Sequence, residues 1–490
     1  MGSPVRVKLV FGWLILLFCA AACVAADSTQ PVNDVQIAAW LTAKVPSATL
    51  VRLVHDRGLE ALPNKVELRQ LQQLGADAKL LQALTSAKAA PAKPGAQIPA
   101  SLLTASADAR DHKFHEAELE LRKVVDAQPN NAALHFALGT ALESQEKWDG
   151  AFDEITASAK LMPDLAENHD AFAYIFYRLD DGPNAVDEAR TALSMDPQNA
   201  EGYHFLGLAL YCSGQYAAAV HAYEESLARD PDNADFYYDM AISLQAAGNL
   251  PAARMGYEKA IQLRPNFWEA HANLAMTMHE QGLLNEAAAE YQEAKRIAPE
   301  DPSVRNNLAN TYCDQGKFGA AISELSELYR QHPEWQEGHG CMASAYMAEK
   351  KYDAAVEQFR LAMQQNPTGS VEHRLLGQAL LLDGRPDDAI HEMQIAVSLN
   401  PDSDAAHHYL GMALFEQQRL PAAEKQFREA LRLSPSADNH YSLAACLMSM
   451  DRYEEALSEI EVASKLDPAK QLYRAQREEL LKRMKGASAR

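Results

Sequence analysis

The sequence predicts an all-α solenoid of about eleven helix-turn-helix repeats behind a small amino-terminal helical module. Three observations predict it. Ten prolines, Pro129, Pro163, Pro197, Pro231, Pro265, Pro299, Pro333, Pro367, Pro401 and Pro435, each stand 34 residues from the next. Alanine recurs in the same register from Ala117 through Ala151, Ala185, Ala219, Ala253, Ala287, Ala321, Ala355, Ala389 and Ala423 to Ala456. Between these marks, apolar residues fall at helical spacing. A fixed period of this length means stacked units, each burying its apolar face only against its neighbours.

The elements follow in chain order. Residues 1–26 read as a signal peptide: Arg6 and Lys8, an apolar run from Leu9 to Ala22, then small residues before Asp27. The run is shorter than the roughly 20 residues of a spanning helix. The expected mature chain therefore has no membrane span, with an uncleaved anchor and lipidation at Cys23 as the alternatives. Residues 32–87 form a small module of four helices. The first carries Ile37, Ala38 and Leu41. The second is capped by Ser47, carries Leu50, Leu53 and Val54, and stops at Gly58. The third carries Val66, Leu68, Leu71 and Leu74 and stops at Gly75. The fourth carries Leu80, Leu81 and Leu84. Residues 88–97, rich in Ala, Pro and Lys, read as a semi-rigid linker.

The repeats run over 98–470. Numbered so that the recurring proline is position 32, they start at residues 98, 132, 166, 200, 234, 268, 302, 336, 370, 404 and 437. Positions 4, 7, 8 and 11 form the apolar face of a first helix. Position 20 is small so that two helices approach closely, and a larger side chain there costs about 1–3 kcal/mol. Gly214, Gly248, Gly282, Gly316 and Gly384 mark a left-handed turn between the two helices. Two repeats depart from the pattern. The first has Thr104 and Asp108 at apolar sites. The third has Asp181-Gly182-Pro183 at its internal turn, which predicts an altered entry into its second helix. Residues 471–490 read as a capping helix, Gln471 to Lys485, and a tail, with Leu472, Leu480 and Leu481 on one face of the helix.

Repeat four carries Tyr203, Leu206, Gly207, Leu210, Gly214, Tyr216, Ala219, Tyr223 and Pro231 in register. Repeat ten carries Leu410, Gly411, Leu414, Ala423, Phe427, Ala430 and Pro435. This pattern resembles the tetratricopeptide repeat family, exported bacterial type. The resemblance implies a right-handed superhelix whose first helices line a concave groove, with positions 2, 5, 6, 9, 12 and 13 facing into it. On this register the candidate peptide-binding residues are Tyr174, Tyr177, His204, Phe205, Tyr211, Tyr238 and Asp239, then Asn273, Asn306, Asn307, Asn310, Arg374 and His408. Asparagine both donates and accepts, so Asn273 and Asn307 suit the backbone of an extended peptide, as a longer Asn column does in the family's glycosyltransferase-linked members. The tyrosines offer rigid contact area. The family's carboxylate-clamp type needs Lys at position 5. None is present, and Arg374 is the only basic residue there.

Other patterns have plain explanations. His135, His169, His271, His339, His373, His407 and His440 all fall at position 4. That is a packing site, so core imidazoles are expected rather than metal ligands. Glu167, Glu201, Asp235, Glu269, Glu337 and Asp438 at position 2 suit the positive end of a helix dipole. Cys212, Cys313, Cys341 and Cys446 are scattered and are expected to be isolated thiols. The net charge of −22 disfavours nucleic acid and anionic lipid. No nucleotide-binding, zinc-protease or nucleophile-elbow motif occurs, and neither a cofactor nor catalysis is expected. The expected function is a non-catalytic scaffold that binds extended peptide segments or partner proteins, in cell-envelope or secretion assembly, periplasmic or secreted. The alternative is an accessory subunit of a glycan-handling enzyme, with the groove tyrosines contacting sugar.

Overall fold

The computed structural model describes residues 30–89, 97–365 and 367–487. The expected signal peptide with Cys23, and most of the expected linker, lie outside the described residues. The described chain forms twenty-seven helices and no strand, with isolated bridges joining Val32, Leu59 and Ala89. It is the expected all-α repeat fold. Two compact bodies are distinguished, Met1–Pro265 and Asn266–Arg490.

The repeats share one backbone plan. In repeat four the first helix is Ala200–Cys212 and the second is Tyr216–Arg229, and the same register recurs down the chain. Position 15 between them is left-handed throughout. Glycine fills it at Gly214, Gly248, Gly282, Gly316 and Gly384. His112, Glu146, Asp180, Lys350, Gln418 and Asp451 hold the same positive φ in the other repeats. The position-20 alanines are fully buried, from Ala117 to Ala456. Close approach extends to position 8: a Cβ on Gly207 would lie 2.6 Å from the Tyr223 ring. The Asp181-Gly182-Pro183 turn of repeat three does not shift the start of its second helix. Its second helix, Gly182–Met195, starts in the common register, because Asp181 caps it and Pro183 falls in the first turn where no N–H is needed.

In the amino-terminal body, four helices precede the repeats: Asp34–Thr42, Ser47–Arg57, Lys65–Gln73 and Ala78–Ser86. Asn33 and Asn64 form capping boxes with Gln36 and Glu67. Ser47 is not a cap. Pro46 takes that place, without a side-chain bond. Val66 is 62% exposed, so the third helix buries Leu71 and Leu74 without it. These helices are not free of the repeats. Asp34–Thr42 packs on the first helices of repeats one and two, and Trp40 and Ile37 join one core with Leu102, Ala133 and Phe136. Burying a side chain of this size stabilises by about 1.5–3 kcal/mol. Arg52 reaches Asp196 at 2.6 Å, and Arg57 pairs with Asp164.

In the carboxy-terminal body, repeat eight breaks the plan. Its first helix begins only at His339, preceded by Gly338 at φ 91°. A Cβ at Gly338 would meet Leu325 at 2.5 Å and Asn306 at 2.7 Å, so only glycine fits. Beside it, Cys313 and Cys341 are joined by a disulfide between the first helices of repeats seven and eight, with Cα atoms 6.1 Å apart. These two cysteines are therefore not the isolated thiols expected, because neighbouring first helices bring residues 28 apart within bridging range. Cys212 and Cys446 remain thiols. The terminal helix, Gln471–Ala487, buries Tyr473 and Leu480 but leaves Leu472 50% exposed, which corrects the expected face. The Tyr473 hydroxyl donates to Asp438 at 2.6 Å.

Candidate functional site

The position-4 histidines are structural. Each uses Nδ1 to reach a Glu or Gln 19 residues later, on the second helix of its own repeat. The distance is 2.6 Å for His135–Glu154, His169–Glu188 and His440–Glu459, and 2.7 Å for His271–Glu290, His373–Glu392 and His407–Gln426. His339–Gln358 is 2.8 Å. In His135, His373 and His407 the other ring nitrogen meets the carbonyl of Pro129, Pro367 or Pro401 in the preceding loop. Those rings tie three elements together. The bond to Glu154 raises the pKa of His135. Repeat seven has Arg305 in place of histidine and pairs it with Glu324 at 2.9 Å.

The candidate groove residues lie on first helices in both bodies. In the amino-terminal body most are engaged with one another. Tyr174 sits among Trp148, Tyr177 and Phe205, with ring centroids 5.9–6.2 Å away. Its hydroxyl accepts from Arg178, which also covers the Trp148 ring at 4.8 Å. Tyr211 packs on Tyr216 at 5.5 Å and Tyr238 on Tyr257 at 5.8 Å. His204 and Asp239 neutralise each other across neighbouring repeats, Nε2 to Oδ2 at 2.7 Å. Burial works against charge on the His204 ring, but the Asp239 and Glu201 carboxylates outweigh it and raise its pKa to about 9.

In the carboxy-terminal body the picture differs. Asn306 turns away from the expected groove: it is only 4% exposed and donates to Glu337 at 3.4 Å beside Gly338. His408 packs on Tyr409 and Phe427, and burial lowers its pKa. Asn273 is half-buried and engaged. Asn307, Asn310 and Arg374 are half-buried, and none has a side-chain hydrogen bond or ion pair among the described residues. Among the candidate groove residues of this body, those without a side-chain partner among the described residues are thus two amides and one guanidinium.

The histidine pairing was missed in the sequence, although its signal is present there. Where position 4 is histidine, position 23 is Glu or Gln. Where position 4 is Tyr203 or Tyr237, position 23 is Ala222 or Gly256.

The tetratricopeptide repeat family matches residues 102–165, 200–233, 238–302, 306–370 and 374–438, together more than half of the chain. No curated protein matches by sequence. Among solved structures, the chain is similar to a tetratricopeptide repeat protein from Parabacteroides merdae. The identity is 18%, over 51% of this chain and 98% of that one, with a TM-score of 0.38. For pilF of Pseudomonas aeruginosa the values are 22%, 46%, 97% and 0.38. For yeast Tom70 they are 14%, 79%, 94% and 0.32.

Proposed function

Because the chain belongs to the tetratricopeptide repeat family, we propose that it is a non-catalytic protein-interaction scaffold holding extended peptide segments on its first-helix faces. The observation that carries this reading is the set Asn307, Asn310 and Arg374, half-buried and without partners among the described residues. Half-buried polar groups that make no bond within the chain suit a ligand that completes them. Amides suit a peptide backbone, and a guanidinium suits a carboxylate. The glycan-enzyme alternative rests on the groove tyrosines. Those rings are already packed, Tyr174 on Tyr177, Tyr211 on Tyr216 and Tyr238 on Tyr257, which favours the peptide.

We place the protein in the cell envelope, as part of assembly or secretion. Two observations support this setting. The residues from Arg6 to Ala26 have the pattern of a secretory leader. A structural disulfide such as Cys313–Cys341 belongs to oxidising compartments.

The test is an affinity capture from envelope extract with the full chain and with an Asn307→Ala/Asn310→Ala/Arg374→Ala variant of equal helicity. A partner held by the first is expected to bind the variant at least about tenfold more weakly, a loss of about 1.4 kcal/mol. Capture of the same proteins at the same strength by both overturns the reading.

A further inference from the structure

The helix dipole explains an acidic residue at position 2 of a repeat, but not the surroundings of Glu167. A cavity of about 340 Å3 lies in the amino-terminal body, between the Lys44–Pro46 corner and the first helices of repeats two to four. Four carboxylates line it: Glu143, Glu167, Asp170 and Glu201. Lys44 is the one basic residue at its wall, and it is exposed. The nearby Arg52 is taken by Asp196.

Three of the four carboxylates have a buried oxygen without a donor: Glu143, on a half-buried side chain, and Glu167 and Asp170, which are set deep. Glu167 is 7% exposed and its Oε2 has no hydrogen bond. Asp170 is 4% exposed. Its Oδ2 accepts from Asn199 at 2.7 Å, while its Oδ1 has no donor. A buried carboxylate oxygen without a donor is costly, so such a pair persists where something else completes it. Burial, then the charges of Glu167 and Glu201, hold the Asp170 carboxyl well above its ordinary range, and burial raises Glu167 too. Burial and like charge thus work against ionisation at this point, and a cation placed there would oppose both. The rest of the wall includes the Tyr174 and Phe205 rings. Aromatic sides with carboxylates at the end match an ammonium or guanidinium on an alkyl stem. No group of three or more metal-ligating side chains is assembled among the described residues, which speaks for an organic cation.

We propose that this cavity receives the lysine or arginine side chain of a peptide lying on the first-helix face, with Glu167 and Asp170 taking the charge and Tyr174 and Phe205 flanking the stem. The inference rests on the peptide-scaffold reading and adds its chemistry: the partner is basic at this point. When the cation enters, the carboxyls ionise and their protons leave to solvent. Glu143, Glu201, Asp196, Lys44 and Arg52 are the other charged groups facing them.

The experiment uses the full chain and three probes: an end-blocked Gly-Ser peptide with one central arginine, its citrulline twin, and free argininamide. Affinity is read by calorimetry at pH 7 in two buffers of different ionisation enthalpy. The arginine peptide is expected to bind at least about tenfold tighter than the citrulline twin and to release protons. Glu167→Gln and Asp170→Asn should each abolish that preference. Proton release by the unaltered chain tests the proposal even if a variant misfolds. Equal binding of the two peptides, binding of neither, or binding without proton release overturns it. Argininamide binding as tightly as the peptide overturns the peptide source. Should the arginine preference be absent while partner capture still depends on Asn307, Asn310 and Arg374, this inference falls and the scaffold reading stands.

Discussion

His204 and His408 occupy the same place, position 5 of a first helix, one in each body, and their surroundings drive them in opposite directions. His204 lies 2.7 Å from Asp239 and 3.6 Å from Glu201 and is held as a cation. His408 meets Tyr409 and Phe427, its Nδ1 has no hydrogen bond, and burial pushes its pKa down. The contrast extends to the faces they belong to. In the amino-terminal body, ring packing, the His204–Asp239 pair and the preceding helices occupy the first-helix face, leaving an acidic cavity. In the carboxy-terminal body, Asn307, Asn310 and Arg374 lie open. Register decides where a side chain stands. Its neighbours one repeat away decide what chemistry it has.

The largest test of this contrast uses the disulfide. Cys313–Cys341 lies wholly in the carboxy-terminal body, and the amino-terminal body has Cys212 as a thiol. Closing a loop of this length stabilises by about 3 kcal/mol through the unfolded chain. Reduction should lower the unfolding free energy of the carboxy-terminal body by about that amount and leave the other body unchanged. Hydrogen exchange resolved by segment reads both at once. Equal loss of protection in the two bodies would show that they unfold as one and break the comparison.

The second test is pH. The folded-state pKa of His204 is raised to about 9 from the ordinary value near 6.5. Its stabilisation is full below about 6.5 and disappears as pH climbs through 9. With one pKa unit worth about 1.4 kcal/mol, the effect is on the order of 3 kcal/mol. His408 has the opposite sign. Its folded pKa is lowered, so it costs stability as pH falls below the ordinary histidine range. Ring-proton titration by NMR should find His204 still charged at pH 8 and His408 titrating below the ordinary histidine value. A His204→Gln variant should lose the alkaline decline, and parallel titration of the two rings would refute the contrast.

What could be read from the sequence was what each repeat decides alone. The position-20 alanines, the turn glycines and the spaced prolines obey local sterics, and all fall where their spacing puts them. The histidine–carboxylate pairs were also legible, since both partners lie in one repeat and vary together. Other features depend on neighbours. Asn306 has a groove position, but the unwound turn at Gly338 and the Glu337 carboxylate draw it inward. Cys313 and Cys341 look unrelated until adjacent first helices bring them within 6.1 Å. Trp40 and the Lys44–Pro46 corner gave no sign that they meet repeats one to four, and so the cavity at Glu167 and Asp170 was not foreseeable.

The smallest effect tests the feature that both bodies share. Position 15 is left-handed in every repeat, and six repeats hold a residue with a Cβ there: His112, Glu146, Asp180, Lys350, Gln418 and Asp451. An L side chain in this conformation costs roughly 1–2 kcal/mol, and glycine avoids that at some cost in unfolded-chain entropy. Gly214 and Gly384 show that the site itself is roomy, since a Cβ there would meet nothing within 4 Å. The penalty is therefore of the backbone alone. Glu146→Gly in one body and Gln418→Gly in the other should each stabilise by about 0.5–1 kcal/mol. The reverse changes, Gly214→Ala and Gly384→Ala, should cost about as much. Denaturant midpoints of the four variants check this. Similar gains for Glu146→Gly and Gln418→Gly would place the two bodies on one backbone plan, so that their difference lies in side chains only. A gain in one body and a loss in the other would mean that the turns, too, have diverged.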